Sequence, residues 1–199
     1  MNDQLRIALH EAGHTFIAWR FGQTSGPVTV VPGPRWAGTA HHDRQPVPQA
    51  VLAAVNVEMP YLSWPAAVRH DVDVQALITA AGHVAEETLG HRIGRRGDPL
   101  AIRAAELAAA RPLTEPEERR ILAGREDTTG QTDDERLAAL MLLAHGHDPV
   151  TGSAWLNYIT ATARTCITRD ADRVLRLAAV LADHGTLSGQ AVTEILEAA

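Results

Sequence analysis

The chain contains no lysine: all 18 of its Lys and Arg positions are arginine. That excludes the lysine of a phosphate-binding loop and a lysine Schiff base, so neither Walker-type ATP hydrolysis nor pyridoxal chemistry is carried here. Cysteine is nearly absent as well. The single residue, Cys166, sits in an apolar stretch, so no internal disulfide can form, a reducing compartment fits, and a buried structural thiol is expected. No apolar run reaches the length of a membrane span and the first residues are polar, which predicts a cytoplasmic chain without signal peptide or membrane insertion. The formal net charge of -6 and the scattered arginines give no electrostatic support to a nucleic-acid or anionic-lipid partner. What is present is an ordinary globular composition, 199 residues with 45% hydrophobic and 21% charged, enough for one good core.

The most specific feature lies near the start, where Leu9-His10-Glu11-Ala12-Gly13-His14-Thr15 contains an HExxH pattern. Leu5, Leu9, Ala12, Phe16 and Ile17 make an apolar stripe at helical spacing around it, so the motif falls on an amphipathic helix. Residues four apart on a helix lie nearly above one another, so His10 and His14 can aim ring nitrogens at one metal from successive turns. Glu11, beside them, can take a proton from a metal-polarised water without occupying the metal, the role of a general base. Gly13 costs such a helix about 1 kcal/mol relative to alanine, which predicts that another backbone or a substrate comes close there.

Along the chain, the first helix is expected from about Asp3 to Phe21, with Gly22 ending it. Pro27-Val28-Thr29-Val30-Val31-Pro32 reads as a short strand, placed at a sheet edge by its prolines, and a second strand is expected near Thr39-Ala40-His41. Gln49 to Val57 is a short helix candidate, and Pro60 to Pro65 a packed loop. From Val72 to Leu89 apolar residues recur at helical intervals, and the small Ala80-Ala81-Gly82 face suits close pairing with the helix carrying Ala12-Gly13. Asp98 before Pro99 looks like the cap of a helix to Ala110. The stretch 111–135 reads as an exposed connector with a brief helix. Thr132-Asp133-Asp134-Glu135 matches a capping box for a helix ending near His145 before Gly146. Two further helical stretches, Ala154 to about Asp183 and Ser188 to Ala198, complete a mainly helical chain.

Taken in order, His10-Glu11-Ala12-Gly13-His14, the Val28 to Pro32 strand, Gly82-His83-Val84-Ala85-Glu86-Glu87-Thr88-Leu89-Gly90 and Leu181-Ala182-Asp183-His184-Gly185-Thr186-Leu187-Ser188-Gly189 resemble the protease domain of FtsH-type zinc metallopeptidases. The resemblance covers nearly the whole chain but not that family's ATPase module or membrane anchor, so it implies a freestanding peptidase domain. It further implies that the third zinc ligand is an aspartate shortly after the Ala-Glu-Glu helix, and the matching position is Asp98. The residues alone leave Glu86 and Glu87 as rivals, in the arrangement that takes a glutamate from a second helix. Asp71 and Asp73 read as a solvated helix start, and His41, His42, His145 and His147 as exposed loop residues. Where the family has Gly-Gly-Arg before its Ala-Glu-Glu, this chain has Ala81-Gly82-His83.

The sequence therefore predicts a mainly α helical bundle with a small sheet or hairpin near residues 27–42 and an HExxH zinc helix at its N-terminus. One peptidase domain spans 1–199, with the zinc site in 1–110 and a helical part in 136–199. Zn2+ is the expected cofactor, held by His10, His14 and Asp98, with Glu11 as the catalytic base. The expected partner is a polypeptide substrate, unfolded or flexible, which Val28, Thr29, Val30 and Val31 can bind by β-strand addition. A separate ATPase or unfoldase is a possible second partner; the sequence leaves the oligomeric state open. The alternative is a non-catalytic adaptor or regulatory module retaining the peptidase fold, against which the intact Glu11 argues.

Overall fold

A computed structural model describes residues 3–33, 38–44, 47–90, 100–110, 112–123, 132–146 and 148–198. Helix α1 runs Asp3–Arg20, followed by strands β1 (Thr24–Thr29) and β2 (Thr39–Asp43), the short helix α2 (Gln49–Leu52) and a 3-10 turn at Tyr61–Ser63. The remaining helices are α3 (Ala66–Leu89), α4 (Leu100–Ala110), α5 (Glu115–Leu122), α6 (Asp133–His145), α7 (Pro149–Arg169), α8 (Ala171–His184) and α9 (Gly189–Glu197), with the two-residue strand β3 (Thr186–Leu187) between the last two. The described part is mainly helical with one small antiparallel sheet, as the periodicity predicts. No described helix is long and apolar enough to cross a membrane.

Helix α3 is the axis of the bundle. Its residues from Val74 to Gly82 are all buried, because α1, α6 and α7 pack around it. A helix buried on every side carries no clean amphipathic stripe. Its first six residues escape the periodicity that marks Val72 to Leu89 because only Val68 among them is buried. Glycine sets the approach of α1 to α3. A Cβ placed on Gly13 would lie 2.5 Å from the Ala81 carbonyl oxygen and 2.8 Å from the Ala85 Cβ. Glycine at 13 is therefore required by a backbone in contact, and the small Ala81 face is its partner, as expected.

The sheet departs from expectation. Its order is β2-β1-β3, so the strand carrying Val28 and Thr29 is central. Val28 pairs with Ala40 on one side and Leu187 on the other, and Thr29 with Thr39 and Thr186. The strand also begins earlier and ends earlier than predicted, with Val30 and Val31 beyond it, Val30 N–H donating to the Gly185 carbonyl at 2.8 Å. Pro27 is tolerated inside a central strand because the β1–β2 register shifts between Ser25 and Val28, and a bulge is where a residue without an N–H fits.

Other differences have local causes. The long C-terminal helical stretch divides into α7 and α8 at Asp170, whose carboxylate takes an N–H of Arg173 at 2.6 Å. Asp71 and Asp73 lie a turn or more inside α3 and are partnered: Asp71 with Arg44, and Asp73 with the Tyr61 hydroxyl at 2.9 Å and the Trp155 indole N–H at 2.8 Å. His145 stands half-buried between the Tyr61 and Trp155 rings at the end of α6, and His42 is half-buried in β2, so neither is the exposed loop residue expected. Cys166 is half-buried against the core.

Replacing Gly13 with alanine tests the α1–α3 contact. Helix propensity alone favours alanine by about 1 kcal/mol. The forced separation of two packed backbones should outweigh this and lower stability by about 1–3 kcal/mol in equilibrium urea denaturation. A Gly13→Ala protein as stable as the parent, or more so, would contradict the packing described.

Candidate functional site

The HExxH residues occupy the middle of α1, where the helix is buried from Ala8 to Ala18 except at His10. His10 and His14 lie one turn apart, their rings edge to face with centroids 4.7 Å from each other. Each ring is oriented through its Nδ1. The Nδ1 of His14 lies 2.6 Å from the Ile78 carbonyl oxygen, which can only accept, so that nitrogen donates to it and Nε2 is the atom turned toward Asp133. The Nδ1 of His10 lies 2.7 Å from Glu86 Oε1, and Arg6 donates to the same carboxylate.

The two Nε2 atoms converge on a carboxylate from a third helix. Asp133 Oδ2 is 2.9 Å from His10 Nε2 and 3.3 Å from His14 Nε2. The same oxygen is 3.2 Å from His83 Nδ1, on α3. Gly82 makes room for this convergence, since a Cβ there would sit 2.5 Å from His14 Nε2 and 2.6 Å from His10 Nε2. The Asp133 carboxylate reaches inward from the first turn of α6. A capping box holds that turn, with Thr132 N–H donating to Glu135 at 2.8 Å.

Electrostatically the cluster calls for positive charge. Burial opposes charge on His10, but the hydrogen bonds to Asp133 and Glu86 outweigh it and push its pKa up to about 10. His14 is also raised, Asp133 outweighing burial. Burial would raise Asp133, yet His14, His10 and His83 hold it well below the usual carboxylate range. Glu86 is likewise lowered: contacts with His10 and Arg6 overcome its burial. A divalent cation would answer the same field in place of protons at the two Nε2 atoms. Two imidazole nitrogens and one carboxylate oxygen, each imidazole fixed by an acceptor behind it, form a donor set that suits zinc.

Glu11 differs from every other acid nearby. It is 6% exposed, and burial pushes its carboxyl up, with His14 and His10 pulling the other way. Among the described residues its carboxylate accepts no hydrogen bond, while a Cβ on Gly38, just before β2, would lie 2.8 Å from Glu11 Oε1. His42, further along β2, stays neutral: burial, with Arg136 adding to it, lowers its pKa to about 4.

Of the residues expected at the site, His10, Glu11 and His14 are brought together. Asp98 lies outside the described residues, as does His147. The two glutamate rivals separate: Glu86 stands behind His10 on its Nδ1 side, and Glu87 is exposed and paired with Arg164 at 2.7 Å. Val28 to Val31 offer no free strand edge at Val28 and Thr29, both being paired on two sides. Asp133 was hidden by its own context, because an acidic residue following Thr132 is fully explained as a helix start. His83 and Gly38 carry no local signal of their place here, and Gly82 only that of a small face suited to close packing.

A scan of protein-family models and a search among curated proteins found no match to this chain.

The two glutamates provide a stability test. Glu86→Ala would leave the buried His10 Nδ1–H without its acceptor, at a cost of about 1–3 kcal/mol. Glu87→Ala breaks an exposed pair and should change stability by less than about 1 kcal/mol. Thermal or urea unfolding of the two variants side by side measures this, and equal losses would contradict the geometry.

Proposed function

We propose that this chain is a zinc-dependent metallopeptidase, resembling a freestanding FtsH-type protease domain, with His10, His14 and Asp133 holding the metal and Glu11 as general base. The observation that carries the proposal is that Asp133 Oδ2 lies 2.9 Å from His10 Nε2 and 3.3 Å from His14 Nε2, beside the buried Glu11 carboxylate, which accepts no hydrogen bond among the described residues. The assignment puts the third ligand at Asp133, where the resemblance implies Asp98.

Zinc at this site would supply Lewis acidity toward a water molecule and toward the scissile carbonyl. The chain's own residues do the rest. Glu11, with its pKa raised by burial, takes the proton as the water oxygen bonds to the carbonyl carbon. When the C–N bond breaks, Glu11 returns that proton to the departing amine nitrogen, and the second proton of the water, left on the new carboxylic acid, passes to the amine, so the products are a carboxylate and an ammonium group. Glu86 and the Ile78 carbonyl hold the two imidazoles in the tautomer that presents Nε2.

An extended polypeptide has a natural seat. Strand β2 pairs only with β1 among the described strands, so its other edge can accept a further strand. Gly38, at the entrance to that strand, comes against Glu11, so a peptide laid along β2 passes the base. This transfers the substrate-binding role from the Val28 strand to its neighbour. The requirement for an extended chain restricts unaided cleavage to flexible or unfolded substrates, since folded proteins open only rarely.

The test combines metal analysis with casein cleavage. The purified protein should hold about one zinc per chain and cut casein without ATP. His10→Ala, His14→Ala and Asp133→Ala should each lose or greatly weaken zinc binding, whereas Glu11→Gln should retain zinc and lose activity. An active Glu11→Gln protein would contradict the base assignment. Undiminished zinc binding by Asp133→Ala, with loss in Asp98→Ala, would move the third ligand to Asp98.

A further inference from the structure

Behind Asp133 lies a second layer of polar contacts that the chemistry above does not use. His83 Nδ1 is 3.2 Å from Asp133 Oδ2, and its Nε2 is 3.1 Å from an Nη of Arg103 on α4. Arg103 is in turn held by its Nε–H, which donates to Asp134 Oδ2 at 3.2 Å. Three helices, α3, α4 and α6, thus meet in a relay that begins and ends on adjacent residues of one helix start.

Hydrogen-bonding capacity fixes the direction of this relay. Arginine has five N–H donors and no acceptor, so His83 Nε2 must accept from Arg103. The remaining proton of a neutral imidazole is then on Nδ1, which donates to Asp133. A carboxylate at the end of a short side chain can rotate, and two imidazoles need its oxygen at one place. A donor fixed from behind holds it there.

We propose that His83 is a positioning residue, set in its Nδ1–H tautomer by Arg103, that holds the Asp133 carboxylate in the orientation required of a metal ligand. This rests on the proposed metal site. The competing assignment is chemically distinct: with its ring 4.9 Å from that of His10, His83 could instead be a fourth protein ligand, as the grouping of His10, His83 and Asp133 atoms within 4.8 Å allows. Four protein ligands would close the coordination sphere and leave no position for water, as in structural zinc sites. The Arg103 contact argues against it by occupying the lone pair of Nε2 while Nδ1 keeps its proton.

The geometry dictates the variants. An asparagine amide N–H reaches roughly the place of imidazole Nδ1, whereas a glutamine amide reaches that of Nε2. Zinc affinity of the full chain is measured by chelator competition, and the metal environment by the visible absorption of the Co2+-substituted protein. His83→Ala and His83→Gln should each still bind one zinc, about 10–100-fold more weakly than the parent. His83→Asn should recover most of that loss and give the parent's Co2+ spectrum. Should His83→Ala not fold, as judged by circular dichroism, the Gln and Asn pair makes the comparison.

Equal affinity in all variants would overturn the positioning role. So would a His83→Asn protein as weak as His83→Gln with an altered Co2+ spectrum, the signature of a lost ligand. A parent protein that binds no zinc overturns the metal site itself and is distinguished by that measurement alone.

Discussion

Everything at the site depends on how closely α1 can approach α3. Gly13 lets the Ala81 carbonyl and Ala85 touch the backbone of α1, and Gly82, one residue on, leaves open the space into which both imidazole Nε2 atoms point. Interiors are packed too tightly for this to be incidental: a single methyl at either glycine would sit 2.5 Å from an atom across the interface. The price is small in helix propensity, about 1 kcal/mol per glycine, against the benefit of seating His14 on the Ile78 carbonyl and His10 on Glu86.

Once α1 and α3 are locked, the site needs only one more helix. The capping box at Thr132 fixes the start of α6, and the first residue of that helix, Asp133, projects to the two histidines. The cluster then concentrates acidic groups, Asp133 and Glu86, around imidazoles, a field that favours a cation. Glu11 stands apart from it, buried and with its pKa raised, which makes its carboxylate a readier proton acceptor. In the proposed reading, groups from α1, α3 and α6 have complementary tasks: α1 carries the imidazoles and the base, α3 orients the imidazoles, and α6 brings the carboxylate.

What could be read from the sequence was what a local pattern encodes. The HExxH spacing requires only one helix, so His10, Glu11 and His14 were legible, and so was the contact made by Gly13, because a glycine within a helix needs a reason. Helix ends at Gly22, Gly146 and the Thr132 box followed from capping chemistry, and the first and third of these set the ends of elements that build the site. The proposed third carboxylate, Asp133, was not legible, since an acidic residue after Thr132 has a complete explanation as a helix start, and its approach to α1 is a long-range fact. The sheet order failed for the same kind of reason: prolines flanking Val28 to Val31 point to an edge, but the bulge that accommodates Pro27 and the return of Thr186 and Leu187 are long-range facts. Asp73 and His145 likewise read as surface residues until Tyr61 and Trp155 close over them.

The central claim is that one metal sits among His10 Nε2, His14 Nε2 and an Asp133 oxygen, with a position left for water. The most direct measurement is a crystal structure of the zinc-loaded protein with anomalous diffraction collected on both sides of the zinc absorption edge. A single zinc peak bonded to those three atoms, with His83 outside bonding distance, is the expected result. A peak held by Asp98 instead of Asp133, a peak closed by four protein ligands, or no peak among these residues would contradict it.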